Sequence, residues 1–129
     1  MMHFKIDGDV VYTETEFGTL TISRSDEKGF RPYVLLVSSI VACSSIVFRN
    51  ILVKKRIPFT EITIDADVKR DEANANRIEK IHLHFTIYGN DLNETQIKKS
   101  LDVARKHCSM IQSVKNSIEI IETYEVKPS

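Results

Sequence analysis

The sequence predicts an α+β chain with its helices on one face of a sheet, in the order βββ-α-ββ-αα-β. Three observations carry this prediction. The first third alternates apolar and polar residues in short runs broken at Gly8 and Gly18. An uncharged, largely apolar stretch, residues 33–48, follows directly on Pro32. Two longer alternating runs, residues 61–70 and 80–89, then lead into a segment of helical spacing that opens at Asn93.

Each element has its own local reason. Residues 3–7 run into a turn signal at Gly8-Asp9. Residues 10–16 alternate Thr13 and Thr15 with Glu14 and Glu16, and residues 19–23 alternate around Leu20 and Ile22, giving a three-stranded meander. Residues 25–29 form a polar loop. Pro32 suits the first position of a helix, where its missing N–H has no intrahelical partner to lose. The run to Lys55 is about 23 residues, or about 35 Å as one helix. It is rich in β-branched residues, so burial rather than propensity has to sustain it. Ser38, Ala42 and Ser45 form a small-residue stripe along which another helix can approach. Arg49, Lys54, Lys55 and Arg56 place positive charge at the negative end of the helix dipole, and Pro58 stops it.

In residues 61–70, Ile62, Ile64, Ala66 and Val68 alternate with Thr63, Asp65, Asp67 and Lys69. In residues 80–89, Ile81, Leu83, Phe85 and Ile87 alternate with His82, His84, Thr86 and Tyr88. One apolar and one wet face is the mark of an antiparallel sheet covered on one side. The polar linker 71–79 reads as a hairpin tip. Asn93 with Gln96 resembles a capping box. Ile97, Leu101, Ala104 and Cys108 then make one apolar stripe. A second short helix is expected at 110–116, and a last strand at 117–126 with Ile118 and Ile120 inward. Residues 1–129 read as a single domain without repeats.

Composition bounds the function. The chain has 129 residues, 42% hydrophobic and 28% charged, an ordinary globular balance. Eighteen basic and eighteen acidic side chains cancel, which argues against a dedicated nucleic-acid binder. It also leaves little charge repulsion against self-association. Two cysteines, neither in a CxxC pair, exclude a zinc ribbon and a disulfide scaffold. The N-terminus shows no apolar signal core, so a cytoplasmic location is expected, where thiols stay reduced. The 33–48 run contains four serines and falls short of the roughly 18 residues of a membrane span.

Chemistry centres on the two thiols. Cys43 lies mid-helix with Ile40, Ile46 and Val47 on its face. Cys108 lies where two helices meet. Most free cysteines are small buried hydrophobes. On local grounds Cys108 is the better thiolate, since it precedes a helix start and neighbours His107. Cys43 has no helix N-terminus at hand and needs a cation such as Arg24 or Arg31. His82 and His84 share a strand face at metal-ligand spacing, but no third ligand is evident, and solvated histidines are the simpler reading; no metal or other cofactor is expected. Asp65 and Asp67 have the same spacing and the same simple reading. There is no phosphate loop, GxSxG or GxGxxG.

Residues 30–44, Phe-Arg-Pro-Tyr-Val-Leu-Leu-Val-Ser-Ser-Ile-Val-Ala-Cys-Ser, resemble the long central helix of the OsmC/Ohr family, which carries Ala-Cys about ten positions after its opening proline. Residues 51–68 and 81–89 look like its central strands. Lys106-His107-Cys108-Ser109 looks like its second cysteine motif, and Ile118-Glu119-Ile120 like its closing strand. The resemblance runs over residues 30–126. It implies antiparallel sheets wrapped around long central helices in an intertwined homodimer. It implies a cofactor-free thiol peroxidase that reduces organic hydroperoxides and is recycled by a dithiol of lipoyl type. Cys43 would then be the attacking thiolate and Cys108 the resolving thiol, assisted by an arginine. Three positions depart from the pattern. Tyr33 stands where well-characterised peroxidases of the family carry glutamate, and becomes a substrate-side aromatic wall. No arginine precedes Arg24. Ser109 follows Cys108 where proline is usual. Two other roles are compatible with the same scaffold, a non-catalytic dimeric small-molecule binder and a redox sensor.

Overall fold

A computed structural model describes all residues, 1–129. The elements follow the expected order: β1 (Phe4–Asp7), β2 (Val10–Glu14), β3 (Thr19–Ser23), α1 (Pro32–Lys54), β4 (Glu61–Asp71), β5 (Arg77–Tyr88), α2 (Glu94–His107), α3 (Ser109–Val114) and β6 (Glu119–Lys127). The chain divides into two compact units, Met1–Ser38 and Ser39–Ser129, with the division falling inside α1.

In the first unit, β1, β2 and β3 form an antiparallel sheet. Gly8 takes the left-handed conformation (φ 61) that the β1–β2 turn requires. β2 ends at Glu14 instead of residue 16. The reason is local: Thr15 and Gly18 exchange backbone hydrogen bonds of 2.8 and 3.2 Å, closing the turn early. The loop after β3 folds back on it, with Phe30 N–H donating to the Thr21 carbonyl at 3.0 Å. The apolar side chains Phe4, Ile6, Phe17 and Phe30 are exposed.

The second unit holds the main core. Along α1 the buried side chains are Ile40, Ser44, Phe48 and Leu52, one helical stripe. Ile81, Leu83, Phe85 and Ile87 of β5 are fully buried, as their alternation predicts. Phe48 meets Phe85 edge-on, ring centres 5.4 Å apart. By length and composition α1 also passes for a membrane-crossing helix, with a mean hydropathy of 1.9; the sequence expectation of a shortfall counted only its uncharged part. Its side-chain contacts to β5, β6 and α3 make it a core helix of this unit.

β4 and β5 pair antiparallel, but β6 runs parallel to β5, so the second sheet is mixed. A parallel neighbour needs a crossover of a dozen residues or more, and α2 with α3 supplies it. α1 ends in a Schellman motif. Ile57 N–H bonds the Leu52 carbonyl and Arg56 N–H bonds that of Val53, each at 3.0 Å, with Arg56 left-handed at φ 58. Ile57 packs inward beside this turn, which fixes the reversal before β4. The Asn93 side chain caps α2 by accepting from Gln96 N–H at 3.1 Å. Ile97, Leu101, Ala104 and Cys108 are all buried.

Candidate active site

The site is built by one break in a helix. α2 carries its apolar stripe inward as far as Cys108. There the backbone turns extended (φ −81, ψ 107), so that Cys108 closes α2 and opens α3. The Cys108 side chain is fully buried. Its sulfur accepts the Ile111 N–H at 3.4 Å, capping α3. The next two residues, Ser109 and Met110, face Cys43 of α1. Cys43 is half-buried, on the border between the packed stripe and the open face of its helix.

The Cys43 sulfur lies 3.6 Å from the Ser109 hydroxyl oxygen. The Met110 and Ser109 backbone amides and the Cys108 thiol also favour its anion. Led by the Met110 amide, these donors outweigh the cost of partial burial and lower the Cys43 thiol below its ordinary pKa. Cys108 moves the other way. Burial raises its pKa first, the Ile111 amide opposes that, and the neighbouring Cys43 raises it further. Two neighbouring thiols cannot both ionise cheaply, so the pair has a defined order, Cys43 as anion and Cys108 as thiol.

This reverses the order read from sequence. There Cys108 was the better thiolate and Cys43 lacked a helix start. In the fold, the first amides of α3 point to Cys43, which α1 brings from elsewhere in the chain. Ser109 and Met110 were missed as site residues. The only signal was Ser109 itself, standing beside a cysteine where proline was expected. Arg24, Arg31 and Tyr33 belong to the first unit and the two cysteines to the second. Arg24 is exposed; Arg31 is held over the Tyr33 ring, 5.1 Å from its centre, a cation–π contact.

Two other polar groups lie off the thiol pair. His82 Nε2 and His84 Nδ1 each sit 2.7 Å from the Thr123 hydroxyl, and His84 Nε2 is 3.3 Å from Glu125. They are half-buried rather than solvated. No three histidine, cysteine, aspartate or glutamate side chains converge as a metal site. Glu122 lies on the inner face of β6, its side chain 6% exposed. Ser44 donates to it at 3.0 Å and Arg105 at 3.4 Å. Burial still raises its pKa, with Ser44 and Arg105 opposing. One turn beyond Cys43, an open groove of about 430 Å³ runs between α1 and the start of β4, lined by Ile46, Arg49, Phe59 and Ile62 among others.

Comparison with known proteins places this geometry. A family profile described as OsmC-like protein matches residues 25–123. Protein YhfA of Escherichia coli (strain K12) is 27% identical over 103 residues, which is 79% of this chain and 77% of YhfA. A hypothetical protein from Aquifex aeolicus VF5 superposes with a TM-score of 0.88 at 27% identity, covering 100% of this chain and 96% of that one. An organic hydroperoxide resistance protein OsmC from Legionella pneumophila has the same fold, with a TM-score of 0.74 at 16% identity over 98% of this chain and 97% of that one. With the family profile matching residues 25–123, the chain belongs to the OsmC-like protein family.

Proposed function

We propose that this chain is a cofactor-free thiol peroxidase acting on organic hydroperoxides. The observation that carries the reading is that Cys43 lies 3.6 Å from the hydroxyl of the residue that follows Cys108, which brings together a reachable thiol biased toward thiolate and a buried one biased toward thiol. That is the division of labour the reaction needs. The Cys43 thiolate attacks the terminal oxygen of ROOH, the O–O bond breaks, and the products are a Cys43 sulfenic acid and an alkoxide that takes up a proton as ROH. Cys108 then gives up its proton and attacks the sulfenic sulfur. Water leaves and a Cys43–Cys108 disulfide forms, which an external dithiol reduces by exchange. In this step the two sulfurs close to the disulfide bond length of about 2 Å.

Amide and hydroxyl dipoles favour the Cys43 thiolate without help from an arginine. We assign Arg31 and Arg24 the remaining electrostatic task, neutralising the departing alkoxide. Tyr33, which carries Arg31, is assigned the wall against the substrate's organic part. The working form we propose is a cytoplasmic homodimer, in a compartment whose thiol pool keeps both cysteines reduced.

The test is peroxide consumption by the reduced protein with a dithiol such as dihydrolipoamide supplied, using cumene hydroperoxide. The expected result is turnover by the parent and none by Cys43→Ser. With the dithiol left out, Cys108→Ser should consume about one equivalent in forming the sulfenic acid and a second in its overoxidation to the sulfinic acid, two oxygens in all at Cys43 by mass spectrometry, because its sulfenic acid has no resolving thiol. A parent chain that leaves both cumene hydroperoxide and hydrogen peroxide untouched overturns the reading.

A further inference from the structure

We propose that the Ser109 hydroxyl is a positioning group for Cys43, donating to its sulfur so that the anion sits on Cys43 and not on Cys108. The inference rests on the reading of Cys43 as the attacking thiolate, and deepens it by naming a side chain that, with the Met110 amide, helps select that cysteine.

The geometry is direct. Ser109 Oγ and Cys43 Sγ are 3.6 Å apart, within reach of a hydrogen bond to the large sulfur atom. In the thiol form either atom can donate. In the thiolate form only the hydroxyl can, because the anion has no proton to give. The bond therefore strengthens as Cys43 ionises, and a charge-assisted bond of this kind favours the ionised state. The hydroxyl is not occupied in holding its own helix. The capping role at the start of α3 belongs to the Cys108 sulfur, which accepts from Ile111 N–H. Ser109 is tied to α3 instead through its backbone carbonyl, which accepts from the Ser113 hydroxyl at 2.7 Å. Its side chain is thus free to serve the neighbouring helix.

The arrangement also explains how two adjacent thiols avoid sharing one charge. Cys108 faces inward and Ser109, one residue later, faces out toward Cys43. The same turn of chain withdraws water from one sulfur and offers a donor to the other. Ser109 and Cys43 are the surface-side members of the cluster, so the charge that the hydroxyl holds is the one an incoming peroxide can reach.

The experiment reads Cys43 ionisation without any peroxide. The full-length reduced chain is alkylated with iodoacetamide from pH 5 to 10, and the rate at the Cys43 peptide is followed by mass spectrometry, which separates it from Cys108. Three variants are compared, Ser109→Ala, Ser109→Val and Ser109→Thr. Valine and threonine match in shape, so that pair isolates the hydroxyl. Loss of the hydroxyl should move the Cys43 midpoint up by about 0.5 to 1 pH unit, which is about three- to tenfold less thiolate at a pH below the midpoint. Threonine should restore the parent curve. The proposal is overturned where valine or alanine leaves the midpoint within about 0.2 unit, or where threonine shifts it as far as valine does. If one variant fails to fold, the other hydroxyl-free variant decides. A parent chain inert to peroxide would sink the peroxidase reading while this shift still stood; a working peroxidase without the shift would sink only the role of Ser109.

Discussion

Glu122 shows at the residue scale how a strand pattern conceals a charge. Ile118 and Ile120 point inward, and continued alternation puts Glu122 on the same side, yet a glutamate in a strand is by default a solvated residue. Only the packed fold reveals Ser44 and Arg105 beside it. Its raised pKa has a definite consequence. Between the ordinary carboxylate value of 4.5 and the raised folded value, the native state binds a proton the unfolded chain has lost. Its contribution to stability is therefore full below pH 4.5 and is lost as pH rises through the folded value. Glu122→Gln, which keeps the acceptor for Ser44 and carries no charge, should remove this loss. Urea melts from pH 4 to 8 should show the parent falling relative to the glutamine variant as pH increases. Parallel curves would mean that Arg105 and Ser44 fully offset the burial. The thiols were legible for the opposite reason, since cysteine at two separated helix positions is rare enough to single out. Which of them ionises was not legible, because it depends on amides that reach Cys43 only through tertiary contact.

At the scale of elements, boundaries followed local signals closely where those signals were chemical. Pro32 opens α1, Asn93 caps α2, and residues 19–23 form β3 as read. The direction of β6 was not readable from its pattern. Side chains alternate with period two in parallel and antiparallel strands alike, so only the length of the crossover through α2 and α3 carries the information. The stripe of Ser38, Ala42 and Ser45 was read correctly as small, but no helix of this chain covers it: Ala42 is exposed and Ser45 half-buried. The side of α1 that does pack is anchored by Phe48. Its ring is fully buried and meets Phe85 edge-on. Phe48→Ala should lower the unfolding free energy by about 3–5 kcal/mol through lost transfer and the cavity left behind. Phe48→Leu should lower it by much less, having most of the volume. Equal losses for the two, measured by urea titration at one pH, would mean that the core around Phe48 collapses freely and that α1 is held chiefly elsewhere.

The molecule as a whole leaves apolar surface uncovered in an ordered way. Scattered exposed apolar residues need no explanation, but Ala42, Ile46 and Val53 lie at i, i+4 and i+11 on one face of α1, and all three are exposed. In the first unit Phe4, Ile6 and Phe30 are exposed as well. A helix as apolar as α1, packed on one side only, has a second side suited to another copy, and small residues such as Ala42 permit close approach. Zero net charge removes the long-range repulsion that would oppose it. The proposed homodimer therefore makes a quantitative expectation. Light scattering on the parent should give twice the mass of one chain at micromolar concentration. Ile46→Lys adds a second positive charge next to the exposed Arg49 of the same face, and burying an unpaired ammonium there is strongly unfavourable, so this variant should run as one chain. Cys43 borders the same face, and because an ammonium three residues away would itself favour its thiolate, Val53→Lys, at the far end of the face, separates two ideas. If peroxide consumption falls together with the mass while iodoacetamide still alkylates Cys43 with the parent pH midpoint, the partner contributes to turnover but not to the thiolate. If the parent itself scatters as one chain, the exposed face of α1 belongs to some other contact and the dimer is wrong.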